Sequence, residues 1–182
     1  MEEVPNPVKA YLFDYIKNSE TIPKLISEKR FDQIIDEIIQ NCYDNVLTLG
    51  EKDEVVGILA TGILHYLLTN ALITSQRNIE YKGIELDIVV PDTKTLESDP
   101  EKTLLICIPK SSKMKVIEER ITQLEKCQKI SENIWVVLSE NISIEKKLFV
   151  LSKENNTFSK IIFEIANFTN VGGTNKFKIL RI

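Results

Sequence analysis

An α/β domain of three layers, α/β/α about a central mixed sheet, is what this sequence predicts. Three observations lead there. Apolar residues recur at helical spacing as far as Ile73, and from Arg77 onward they recur with a period of two. Residues 51–73 read as a helix that is apolar on most of its circumference, and such a helix has to be covered on several sides. The elements after it run three-strand meander, helix, strand, an order that closes as a sheet between helices.

The elements follow in turn. Asn6 is placed to cap a helix over 8–17, with Pro7 at its first position. Residues 20–29 read as a short helix or turn around Pro23. Phe31, Ile34, Ile35, Ile38 and Ile39 recur at helical spacing, so 30–44 is amphipathic. In 51–73, Val55, Leu59, Ile63, Tyr66 and Ile73 form one apolar face, Leu64, Leu68 and Leu72 another, and Glu54, Thr61 and His65 share the polar stripe. Strands are expected at 77–82 and 84–90 around a tight Lys82-Gly83 turn, and at 103–108, where an unbroken apolar run wants cover on both faces. Residues 92–102 read as a loop. Ser111 or Ser112 is placed to cap a helix over 114–129, whose inner stripe would be Val116, Ile117, Ile121, Leu124 and Cys127. A strand at 133–139 follows, then a short helix at 144–151. Two last strands, 160–166 and 176–181, are expected around a loop at 172–175. The expected organisation is a helical extension at 1–50, an α/β core at 51–140, and a helix with a β-hairpin at 141–182 completing the same domain as a short β-rich tail.

Composition narrows the function classes. The chain has 182 residues, 43% of them hydrophobic and 27% charged, which suits one folded domain and not a disordered chain. Cys42, Cys107 and Cys127 are scattered, and His65 is the one histidine, so no Cys/His zinc site is spelled out. Three cysteines make a poor disulfide framework, and Met1 is followed by Glu2 and Glu3, the wrong charge for a signal peptide; a cytoplasmic location is expected. The apolar stretch 55–73 is interrupted by Gly57, Thr61, Gly62, His65, Thr69 and Asn70, so no membrane span is expected. The net charge is -4, yet residues 145–182 carry seven Lys/Arg against three Asp/Glu. A basic end on an acidic body is compatible with one face touching DNA or RNA.

The chemistry-bearing segment is Gly83-Ile-Glu-Leu-Asp-Ile-Val-Val-Pro-Asp92. Glu85 and Asp87, two apart on a strand, are expected on one face. The next strand ends Leu104-Leu-Ile-Cys-Ile-Pro-Lys110, where Lys110 shares a face with Ile106 and Ile108. On neighbouring strands, Asp87 and Lys110 converge at one end of the sheet. A carboxylate beside a lysine there would hold a divalent metal and orient a water at a phosphodiester. Lys110-Ser111-Ser112-Lys113-Met114-Lys115, opening a helix, offers charge and free N–H groups to phosphate; read plainly, it is a loop with a serine cap.

The element order and these positions resemble the PD-(D/E)xK nuclease superfamily, especially its archaeal Holliday-junction-resolvase-like members, over roughly residues 51–140. Asp87 in Leu-Asp-Ile-Val-Val matches the family aspartate, Lys110 in Cys-Ile-Pro-Lys-Ser the lysine, and Glu54 the glutamate that several members carry on the preceding helix. The resemblance implies a restriction-endonuclease-like fold, magnesium or manganese as cofactor, and cleavage or binding of nucleic acid. The acid expected two residues before the lysine is replaced by Ile108. Glu118 and Glu85 are the nearest candidates to substitute for it. On this reading Asp87 and Glu85 bind metal, Lys110, Glu118 and Glu54 serve catalysis, and Lys110, Ser111, Ser112, Lys113 and Lys115 meet the nucleic acid. The rival reading is a non-catalytic interaction module, homodimeric or bound to another partner, that keeps the fold without the chemistry.

Overall fold

Asn6 opens the first helix, α1 (Pro7–Asn18): its Oδ1 accepts from the N–H of Val8 at 3.0 Å and of Lys9 at 3.4 Å, while Pro7 sits where no N–H is needed. The chain is described here by a computed structural model that covers residues 4–173. Helices α2 (Thr21–Ser27) and α3 (Phe31–Leu47) lead to the long α4 (Lys52–Asn70). Leu12 and Ile16, Ile34 and Ile38, and Leu59 and Ile63 bring α1, α3 and α4 into one apolar cluster. At Gly62 a Cβ would stand 2.7 Å from Cδ2 of Leu12, so α1 lies closer to α4 than a side chain at that position would allow.

The sheet has five strands in the order β1 (Gln76–Tyr81), β2 (Ile84–Val90), β3 (Leu104–Cys107), β4 (Ile134–Leu138) and β5 (Lys147–Val150). The β1–β2 and β2–β3 pairs are antiparallel, and β3–β4 and β4–β5 are parallel. The β1–β2 turn is the expected one, with Lys82 and Gly83 at φ 51° and 75°, both in the left-handed region that such hairpin turns require. Apolar clusters lie on both faces. Ile88, Ile106, Trp135 and Phe149 pack with α1, α3, α4 and α7 (Ile161–Gly173); Val89, Leu105, Cys107 and Val136 pack with Leu96 of α5 (Thr93–Ser98) and Ile117 and Leu124 of α6 (Met114–Glu125). The protein is mixed α/β, with seven α-helices among the described residues. None of those helices is long and apolar enough to cross a membrane.

Several expectations need correction. The segment 92–102 is not a bare loop: Asp92 accepts from the N–H of Thr95 at 2.8 Å and caps α5. Residues 147–150 form β5 instead of a helix, because Phe149 stacks against Trp135 with centroids 5.6 Å apart and the strand pairs with β4. The C-terminal part is helical where a strand was expected over 160–166. Phe158, Ile161, Ile162 and Ile165 are fully buried at helical spacing, and that stripe seats α7 on the α3–α4 side. With α7 running to Gly173, no hairpin turn forms at Gly172-Gly173, and the expected strand at 176–181 lies outside the described residues. The predicted α6 stripe also loses Val116, which is 41% exposed.

The end of α4 explains why Leu72 leaves its predicted apolar face. Ile73 N–H bonds to Leu68 O at 2.9 Å and Leu72 N–H to Thr69 O at 3.2 Å, a Schellman ending with Leu72 at φ 57°. Lys29 ends α2 in the same way, also at φ 57°. A non-glycine residue in that conformation costs about 1 kcal/mol or more, and Leu72, 92% exposed, recovers little of it by burial. Leu72→Gly is therefore expected to stabilise the fold by about 1 kcal/mol, read as a higher urea midpoint at unchanged slope.

Candidate functional site

The site is built on a fault in the sheet. The β1–β2 ladder runs Gln76↔Val89 and Arg77↔Ile88 and resumes at Ile79↔Leu86, leaving Asn78 and Asp87 between. Asn78 has φ 48°. Ile84 and Leu86 pack on the α6 side, whereas Ile88 and Val90 pack on the α4 side. Residues two apart on a regular strand share a face, so the alternation slips by one residue at Asp87. On the other flank, the paired residues of β2 and β3 end at Ile88↔Ile106. Beyond that point Oδ2 of Asp87 accepts the N–H of Ile108 at 2.8 Å, so a side-chain carboxylate takes the place of a strand carbonyl.

The opening this leaves is a cleft of about 290 Å³, lined by Lys9 of α1, Glu54, Gly57, Ile58 and Thr61 of α4, Asn78, Asp87, Ile108 and Lys110. Three of the residues singled out in the sequence, Glu54, Asp87 and Lys110, thus reach one cavity from segments far apart in the chain. The others do not line it. Glu85 is exposed, pairs across the hairpin with Glu80 and does not line the cleft, although its charge acts on Asp87. Glu118 is exposed on α6, the helix that packs on the opposite face of the sheet from α4. Lys113 and Lys115 are exposed at the start of α6. Neither serine is the cap residue: Lys113 holds that position without a side-chain bond, and Ser111 Oγ accepts its N–H at 3.1 Å.

Ser112 is committed elsewhere. Its N–H and hydroxyl donate to the two carboxylate oxygens of Asp53 at 2.8 and 2.7 Å, and Ser139 Oγ donates to the same carboxylate at 2.6 Å. Asp53, at the start of α4, therefore ties that helix to the β3–α6 loop and to the end of β4. Burial raises its pKa, but the bonds from Ser139 and Ser112 outweigh burial, and the carboxyl ends below its ordinary 3.8. Sequence reading passed over Asp53 because an acid in the first turn of a helix is explained by the helix dipole alone.

Asp87 is shifted the other way. Burial raises its pKa above 3.8, opposed by the Ile108 N–H and by the charges of Arg120 and Lys110, while Glu85 adds to the rise. Arg120 reaches through from α6: its Nη2 lies 3.7 Å from Asp87 Oδ2 and donates to the carbonyl of Glu85. Both side chains are mostly covered, at 18% and 26% exposure. Beside Asp53, sequence reading missed Arg120, Lys9 and Asn78. Arg120 was screened by its neighbours Glu118 and Glu119, and Lys9 by its place in a helix outside the recognised core.

Among the described residues, no three His, Cys, Asp or Glu side chains gather as a metal-holding group. The cleft offers two carboxylates, Glu54 and Asp87, with one oxygen of Asp87 already engaged by Ile108. No family model, no curated protein and no solved structure matches this chain.

Two measurements test this electrostatic picture. Asp53→Ala removes three charge-assisted hydrogen bonds at a partly exposed site and is expected to cost about 1–2 kcal/mol. The stability that Asp53 supplies is present above pH 3.8 and lost as the pH falls below it. For Asp87 the sign is reversed: the native state binds its proton more tightly than the unfolded chain, so its contribution to stability falls as the pH rises from about 4 through the raised pKa. Asp87→Asn is expected to abolish that fall in urea titrations across pH 4–7, and a slope unchanged by the substitution would contradict the assignment.

Proposed function

We propose that this chain is a nuclease-like α/β domain whose cleft engages a phosphodiester backbone. The supporting observation is the convergence of Glu54, Asp87 and Lys110 on one cavity beside the open end of the β2–β3 pair. These are the positions at which the sequence resembles the PD-(D/E)xK nucleases. Lys110 neutralises a non-bridging phosphate oxygen or holds a water by its ammonium group. Glu54 and the outer oxygen of Asp87 face the same space.

The donor set fits a weakly held magnesium or manganese ion and not a tightly held one. Two carboxylates are a sufficient protein share for a magnesium that keeps its waters and takes further oxygens from substrate phosphate. Glu54 and Asp87 would hold it, and it would supply charge neutralisation at the phosphate. Ile108 adds no side-chain donor, which accords with an ion recruited together with the substrate.

A second reading is the non-catalytic interaction module. It is favoured by Ile108 in the acid position and by the pull of Arg120 and the Ile108 N–H on Asp87. Cleavage of branched and single-stranded DNA in magnesium or manganese separates the two. The nuclease reading expects wild-type cleavage that drops about 100-fold or more in Asp87→Asn and in Lys110→Ala. Cleavage indifferent to both substitutions would remove this cleft from the chemistry, and a wild type without cleavage would leave the interaction module.

A further inference from the structure

We infer that a second cavity, at the opposite end of α4 from the cleft, binds a small apolar carboxylate, a free molecule with an acyl chain or ring system and one anionic head group, and that Lys29 meets the head group. The inference does not rest on the nuclease reading. The cavity measures about 680 Å³, within the range of small-molecule sites, and shares no residue with the cleft. Its walls are mostly apolar: Phe31 of α3, Leu72 and Ile73 at the end of α4, Pro91 after β2, and Phe163 and Phe168 of α7. Phe31 and Phe163 stand edge to face with their centroids 6.3 Å apart. Leu72 and Phe163 both face water, and apolar surface gathered at one cavity gains by being covered.

The lining carries one positive charge that the described residues leave unanswered. Lys29 and Lys102 are its charged residues, and no acid is among them. Lys102 is answered by Asp99 at 2.8 Å and by the nearby charge of Glu101. The acids adjoining the other lining residues are engaged elsewhere. Glu28 holds Arg30 at 3.3 Å, Asp32 holds Lys160 at 3.1 Å, and Glu164 holds Lys147 at 2.6 Å. Asp92 accepts the N–H and the hydroxyl of Thr95, with the charge of Lys94 beside it. Among the described residues none of these acids pairs with Lys29. A single uncompensated ammonium beside an apolar wall matches a singly charged head group on an apolar body. The backbone points the same way. Lys29 and Leu72 each occupy the left-handed position that closes a helix, where glycine is the favoured residue. Both side chains are exposed, so contacts within the fold do not repay that conformation. Strain kept in this way is a feature of ligand clamps, and here it places a cation and an apolar group on the same cavity.

The test is calorimetric titration at low salt with decanoate and with decyltrimethylammonium, both below their micelle concentrations, for the wild type, Lys29→Gly, Lys29→Arg and Leu72→Gly. The expected result is decanoate binding about tenfold or more tighter than binding of the cation with the same chain. Lys29→Gly should weaken decanoate about threefold or more, while Lys29→Arg retains it. Leu72→Gly should also weaken it about threefold, through lost apolar contact. Urea unfolding of the same proteins separates lost binding from a lost fold, since both glycine variants are expected to unfold at a midpoint no lower than the wild type. A wild type that takes up no decanoate would overturn the inference and leave this face to a protein segment, residues 174–182 or a second copy of the chain. Equal affinity for the two head groups, or a Lys29→Gly protein that binds decanoate as tightly as the wild type, would overturn it as well. Nucleic acid and metal play no part in these measurements, so the inference and the nuclease reading fail separately.

Discussion

The bond from the Ile108 N–H to the carboxylate of Asp87 is the constraint on which the site depends. In a regular antiparallel ladder that N–H would be met by a backbone carbonyl of β2. Here a side chain meets it, and the backbones of β2 and β3 part company after Ile88↔Ile106. The same residue marks the one-position slip in alternation that turns the outer half of the hairpin toward α6, where Arg120 takes the Glu85 carbonyl. Asn78, opposite Asp87, adopts a left-handed backbone at the same level. One carboxylate thus satisfies an orphaned donor, bends a hairpin and opens a cavity. The cost is a negative charge held largely away from water, which is why its pKa rises despite three favourable neighbours.

Two aspartates on the same side of the molecule show how environment separates structure from chemistry. Asp53 has every incentive to stay ionised: three donors converge on it, and it holds α4, the β3–α6 loop and β4 together. Asp87 has one firm donor and a distant guanidinium, and burial dominates. Carboxylates pushed in opposite directions are a common sign of divided labour, with the perturbed, cleft-facing one as the functional candidate. Asp53 also accounts for the Lys110–Lys115 loop. With its N–H and hydroxyl both bound to Asp53, Ser112 serves as an anchor for that loop, and it is Lys110 that the anchored loop presents to the cleft.

The parts of the fold legible in the sequence were those that one local rule decides. Asn6-Pro7 announces a helix start, Lys82-Gly83 a tight turn, and the stretch through Leu59, Ile63 and Leu67 a buried helix. The misreadings came where two rules competed. Ile161, Ile162 and Ile165 have the β-branched character of a strand and the spacing of a helix, and tertiary packing against α3 decided for the helix. Ile144, Leu148 and Leu151 have helical spacing, yet Trp135 and the parallel edge of β4 drew residues 147–150 into a strand. In the site, Glu54, Asp87 and Lys110 were recoverable because a strand-and-helix pattern brings them together. Glu85 lies outside the cleft because, one step further along the hairpin, it is exposed opposite Glu80, and no sequence signal marks a left-handed Asn78. Arg120 and Lys9 approach from helices whose packing is set by tertiary contacts.

Ile108 is more than a missing acid. It is 7% exposed, belongs to the α4-side apolar cluster, and has its Cγ2 3.4 Å from where a Cβ at Gly57 would stand. Its side chain is therefore part of the packing between α4 and the end of β3, and its backbone N–H holds Asp87. A carboxylate in its place would enter that apolar contact beside an aspartate whose ionisation burial already opposes, and each charge would raise the cost of the other. The isoleucine and the raised pKa of Asp87 are consequently coupled features of one arrangement. They describe a cleft whose local density of negative charge is limited by the apolar packing of Ile108 against α4 and by a single, largely covered aspartate.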